Sequence, residues 1–170
     1  IYDRAGSSIA TASENDFDWD RIFDDSCWFH FTGITPALGD NVAAIALKAC
    51  KVAKKKGIKV SCDLNYRKNL WSREKAKQVM GGLMGYCALC TANEEDAADV
   101  FGINAEDTDL TTGKVSHEGY KDVARKLTER FGFSMVAITL RESISASDNN
   151  WAGMIYDGRD FHFSRKYPVH

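Results

Sequence analysis

The chain has 170 residues, 44% of them hydrophobic and 27% charged, and its 22 basic and 24 acidic side chains give a net charge of −2. That balance leaves no basic footprint for nucleic acid, and no apolar run approaches the ~20 residues that a membrane-crossing helix needs. A chain of this length can bury roughly 70% of its unfolded surface, enough for one α/β domain with a real core.

In chain order, Tyr2 to Ser8 reads as a strand in progress, and residues 7–12 are small and strand-compatible. Asn15 to Asp25 is acidic and aromatic and predicts a turn with a short helix. Cys27-Trp28-Phe29-His30-Phe31 is a strand that ends at Thr32-Gly33, and Pro36 and Gly39 mark the loop after it. Asp40 is the expected cap of a helix whose Val42, Ile45, Ala46, Ala49, Val52 and Ala53 share one face. Lys54-Lys55-Lys56 followed by Gly57 suits the end of that helix better than it suits a binding patch.

Residues 58–62 form the next strand, and Asp63-Leu64-Asn65-Tyr66-Arg67 follows it. Glu74 to Tyr86 reads as a helix capped by Ser72 and weakened by Gly81-Gly82. A short strand at Ala88 to Thr91 leads to a helix from Asn93 to about Val100, and residues 104–115 read as a loop. A helix over 117–131 carries Tyr120, Val123, Ala124, Leu127 and Phe131 on one face, with Ser116 as its cap. Strands at 134–140, 151–156 and 160–164 complete the pattern, the last two joined by Asp157-Gly158. Strands alternating with helices imply a parallel sheet flanked by helices, an α/β fold.

Five cysteines (Cys27, Cys50, Cys62, Cys87, Cys90) lie mostly in apolar stretches. They read as buried thiols of a reducing, cytoplasmic protein rather than a disulfide framework. Cys87 and Cys90 have metal-ligand spacing, but no second pair completes a tetrahedral site. The opening at Ile1 and the close at His170 read as the bounds of a central piece of a longer domain.

Arg67 is the leading site candidate. It follows a strand end, where ligands of open α/β sheets bind, and its planar fork suits a carboxylate or phosphate. Arg4 shares a strand face with Tyr2; the pair could hold a carboxylate, or Arg4 could be the charge that guards an edge strand. Asn93 and Asp96 could orient metal-bound water beside phosphates, or Asn93 could simply cap its helix. Thr139 to Ser143 ends a strand and could border a ligand. His30 reads as a satisfied core histidine, and Trp71 and Trp151 as core. Neither a Walker loop nor a glycine-rich dinucleotide fingerprint occurs.

Several of these pieces occur in family order. They are Tyr2-Asp3-Arg4-Ala5-Gly6-Ser7-Ser8, Phe31-Thr32-Gly33-Ile34-Thr35-Pro36-Ala37-Leu38, Asp63 through Trp71, Ala92-Asn93-Glu94-Glu95-Asp96 and Ile138-Thr139-Leu140. Together they resemble the PfkB (ribokinase-like) carbohydrate kinases, and within them the branch that acts on sugar acids. The resemblance implies a ribokinase-like α/β fold with part of a β-lid over residues 1–12. It implies transfer of the γ-phosphoryl of ATP, with Mg²⁺, to 2-keto-3-deoxygluconate.

On this resemblance Tyr2, Arg4 and Arg67 bind the sugar acid. Asn65, Thr139 and Arg141 lie on the nucleotide and phosphate side. Asn93 and Asp96 serve phosphate and Mg²⁺, the Asp96 carboxylate through water. Asp stands at Asp96 where the family usually has Glu, and Arg141-Glu142-Ser143 stands where Gly is common. The catalytic Asp of the family's Gly-Ala-Gly-Asp motif would lie beyond His170, and a Gly-Gly substrate motif before Ile1. The resemblance also implies a homodimer paired through the lid. The alternatives are a PfkB kinase of a neutral sugar such as fructose, and a non-catalytic α/β binding module.

Overall fold

Apolar stripes at helical spacing, set against short β-branched and aromatic runs, place helices on strands throughout the chain. The computed structural model describes residues 6–105, 117–145 and 147–169. The chain divides into two compact units, Ile1–Ala88 and Leu89–His170.

The first unit opens with turns. Thr11 N–H donates to the Ser7 carbonyl, and its hydroxyl lies 3.4 Å from the same oxygen. The expected lid strand therefore does not extend into residues 6–12; short hydroxyl side chains offer the backbone local partners that compete with a sheet ladder. Residues 1–5, with Tyr2 and Arg4, lie outside the described part. A single 3₁₀ turn at Glu14–Asp16 and a short helix α1 (Trp19–Ile22) follow, and Asp18 caps α1 by accepting from Arg21 N–H.

Strand β1 (Trp28–Thr32) pairs in parallel with β2 (Lys59–Asp63), Trp28 opposite Lys59 and Thr32 opposite Asp63. Helix α2 (Asp40–Lys55) connects them. It buries Val42, Ile45, Ala46, Ala49, Cys50 and Ala53, the stripe read from sequence with Cys50 added and Val52 only half-buried. Phe31, Val60 and Cys62 are buried on the strands. The cap of α2 is Gly39, not Asp40, which sits in the first turn and pairs with Lys75 at 2.7 Å. Gly57 ends the helix at φ +73°, where a Cβ would be strained. Helix α3 (Arg73–Met84) begins at Ser72, whose Oγ accepts from Lys75 N–H at 3.2 Å. Its Ala76, Met80, Leu83 and Met84 are buried, worth about 1.5–3 kcal/mol for each large side chain.

In the second unit, β3 (Leu89–Ala92) pairs in parallel with β4 (Met135–Ser143). Between them lie α4 (Glu94–Phe101) and α5 (His117–Phe131). Helix α5 buries Tyr120, Val123, Ala124 and Leu127, while Phe131 stays half-buried. The loop expected at 104–115 and the Ser116 cap lie mostly outside the described residues.

Strand β5 (Asn149–Tyr156) runs antiparallel to β4, and two short strands, β6 (Phe161–Phe163) and β7 (Tyr167–Val169), pair antiparallel with its two ends. Strand β7 lies beyond the strands expected from sequence and contains Pro168; proline is compatible with a strand at a sheet edge. Ile138, Leu140 and Met154 are buried. On the opposite face Trp151, expected in the core, is 38% exposed. Its register partners explain this: it lies between Arg141 and Tyr167 on the open face.

Candidate active site

The end of β2 carries the most constrained geometry of the first unit. Ser61 and Cys62 are buried, and the chain emerges at the half-buried Asp63. Gly33, just past β1, donates its N–H to the Asp63 carbonyl at 2.8 Å, which extends the β1–β2 ladder by one bond. A methyl group at Gly33 would stand 2.0 Å from the Leu64 carbonyl oxygen, so only glycine lets the two strand ends approach this closely. Beyond Leu64 the backbone turns at Asn65, which takes φ +40° and donates from Nδ2 to Thr32 Oγ1 at 3.1 Å. Tyr66 OH donates to the Trp71 carbonyl at 3.2 Å, and Leu70 N–H to the Arg67 carbonyl at 2.9 Å. These bonds close the loop that presents Arg67.

Arg67 is exposed, and its Nη1 donates to the Tyr66 carbonyl at 2.8 Å. Burial raises the Asp63 carboxyl above its usual range, while the charges of His30 and Arg67 and the Asn65 backbone N–H pull it down. His30 is exposed rather than core: its Nδ1 lies 2.8 Å from Ser61 Oγ, to which Trp28 Nε1 also donates at 2.8 Å. The buried Ser61 hydroxyl supplies the hydrogen bond that a core position was expected to provide.

In the second unit, Asn93 caps α4 by accepting the Asp96 N–H on Oδ1 at 2.6 Å. This is the capping arrangement, and it leaves the amide nitrogen of Asn93 as the polar group not used by the cap. Asp96 is 7% exposed, one of two buried polar residues among those described. Thr139 and Arg141 are both exposed on one face of β4. Arg141 stacks over Trp151 at 5.6 Å, and its Nε donates to Asn149 Oδ1 at 3.0 Å. That stack holds the guanidinium on the hairpin, a role that spacing alone does not reveal.

The structure thus brings Asn65 and Arg67 together on one turn, Asn93 and Asp96 at one cap, and Thr139 and Arg141 on one strand face. Thr32, Gly33 and Asp63 also take part in the β2 end, and their signal in sequence was the Thr-Gly pair that follows an aromatic strand. No group of three metal-ligating side chains gathers among the described residues. Cys87 and Cys90 are buried, and burial pushes the Cys50 and Cys87 thiols up to about 12, far from the thiolate a metal needs. Cys27, expected to be buried with the others, is exposed.

No family model matches the chain. A 2-dehydro-3-deoxygalactonokinase of Haloferax volcanii is 29% identical over 142 residues, covering 84% of this chain and 40% of the relative. The structure of a 2-dehydro-3-deoxygluconokinase from Thermotoga maritima matches all of this chain and 50% of its own, at 46% identity and a TM-score of 0.92. A PfkB family carbohydrate kinase from Listeria grayi matches at 28% identity and a TM-score of 0.85, again over 100% of this chain and 49% of its own. The chain therefore spans about half the length of the kinases it matches in structure and 40% of the curated relative. By fold and by likeness in sequence, the whole of this chain is similar to about half of each of these two kinase structures.

Proposed function

We propose that this chain is the central part of a sugar-acid kinase, one that transfers the γ-phosphoryl of ATP to 2-keto-3-deoxygluconate and forms 2-keto-3-deoxy-6-phosphogluconate. The observation that carries this reading is the 46% identity, over the full chain, to a 2-dehydro-3-deoxygluconokinase. The geometry agrees with an anionic sugar: Arg67 projects from a braced turn at the carboxyl end of β2, with an exposed guanidinium. A bidentate charge-assisted bond to a carboxylate is the use for which that fork is suited. Tyr2 and Arg4 complete the substrate contacts in this proposal.

Asn65, Thr139 and Arg141 are assigned to the nucleotide side. Mg²⁺ ordinarily takes one or two carboxylates and fills its remaining positions with phosphate oxygens and water. A single buried carboxylate, Asp96 beside the α4 cap, fits that demand, so Asp96 would hold the ion through water and Asn93 would orient the same shell. When bound, the ion would neutralise phosphate charge during transfer. The base that activates the sugar hydroxyl is assigned to a part of the kinase beyond this chain. In solution we place the kinase in the cytoplasm as a dimer joined through the lid.

The experiment is a phosphorylation assay with ATP and a panel of sugars, run on this chain and on the full-length protein. The chain alone should be inactive, and the full-length protein should prefer 2-keto-3-deoxygluconate to fructose. Preference for fructose, or turnover by the 170-residue chain itself, would overturn the reading.

A further inference from the structure

We propose that Thr32 is a positioning residue whose hydroxyl, acting through Asn65, holds the turn that presents Arg67 to an anionic substrate. The proposal rests on the reading of Arg67 as the carboxylate clamp.

Asn65 is the one non-glycine residue with positive φ among those described, at +40°. Asparagine visits this region more readily than most residues, yet such a conformation persists only where the surroundings over-determine it. Here the surroundings are specific. Thr32 stands opposite Asp63 in the β1–β2 register, which brings its Oγ1 within 3.1 Å of Asn65 Nδ2. The Gly33–Asp63 bond and the close approach of Gly33 to the Leu64 carbonyl fix the same junction from the backbone side.

Arg67 has no comparable anchor in the core. It is exposed, and its guanidinium bonds the Tyr66 carbonyl on its own turn. The place of the guanidinium is therefore set by the backbone of that turn, and the direction of the turn by Asn65. Without an acceptor at Thr32, Asn65 loses the side-chain bond that favours its left-handed conformation, and Arg67 moves with it. A small displacement of a charged clamp weakens substrate binding without touching the chemical step.

The test uses Thr32→Val, which keeps the side-chain shape and removes the hydroxyl, and Thr32→Ser, which keeps the hydroxyl. Trypsin cleaves after Arg67 and Lys68, so the rate of cleavage there reports the order of the turn. In the 170-residue chain, Thr32→Val should speed cleavage at these two bonds by about threefold or more, with Thr32→Ser matching the unsubstituted chain. In the full-length protein, Thr32→Val should raise KM for the sugar acid by about fivefold or more with kcat unchanged, and Thr32→Ser should restore it.

Equal trypsin rates in the Val variant and the unsubstituted chain would overturn the proposal. So would acceleration spread over every site, which signals general loosening, or a shift shared by Val and Ser. If the full-length protein phosphorylates no sugar acid, the proposed function fails, while the trypsin comparison still decides whether Thr32 orders the turn.

Discussion

At the scale of single residues, the structure separates side chains by environment more sharply than by type. Four of the five cysteines are buried, and for Cys50 and Cys87 burial disfavours the thiolate strongly enough to raise them to about 12. Cys27, just before β1, is exposed. A thiol-specific reagent at pH 8 should therefore label one cysteine quickly in the native chain, Cys27, and all five after denaturation. Rapid labelling of Cys50 or Cys87 would contradict the packing around α2 and α3. The sign of the linkage follows: thiols raised in the folded state favour folding less once the pH passes their usual value of 9.0, where the unfolded chain can release protons that the folded chain keeps. The place of Arg67 on the turn after β2 was legible from sequence because a strand end followed by Asp, Asn and Arg is a local pattern. Arg141 was less so, because its stacking on Trp151 depends on a β4–β5 register that local sequence does not encode.

At the scale of elements, most boundaries followed from caps and periodicity. Ser72 and Asn93 cap α3 and α4 as their positions suggest, and Gly57 closes α2. The exceptions have physical causes. Ser7 to Thr11 satisfies its own backbone and makes a turn, and Pro168 sits in a short edge strand. The β5–β6 turn gives an element-level prediction. Asp157 accepts the Asp160 and Arg159 backbone N–H groups at 2.7 and 2.9 Å and faces His162 at 3.2 Å, and these bonds lower its carboxyl from the usual 3.8 to about 2. A lowered carboxyl contributes stability that is complete above 3.8 and is lost as the pH falls toward 2. Asp157→Asn should flatten the acid limb of a thermal-melt series between those two values, and should leave melts near pH 9, where the carboxylate stays ionised throughout, with no further pH dependence from this turn. An acid limb identical in the two proteins would remove Asp157 as its source.

At the scale of the whole molecule, the order of strands and helices was readable because hydrophobic periodicity switches cleanly between the two. The likeness to PfkB kinases over the whole chain agrees with that order. What sequence patterns could not supply was the junction between β1 and β2, where Gly33, Thr32 and Asn65 meet across 33 positions of chain. That junction braces the turn that carries Arg67. The most direct measurement is steady-state kinetics of Arg67→Ala in the full-length protein, with 2-keto-3-deoxygluconate and ATP varied in turn. Loss of a charge-assisted bidentate bond should raise KM for the sugar acid about 10- to 100-fold and leave KM for ATP within about twofold. Equal changes in both constants, or no change in either, would contradict Arg67 as the carboxylate clamp.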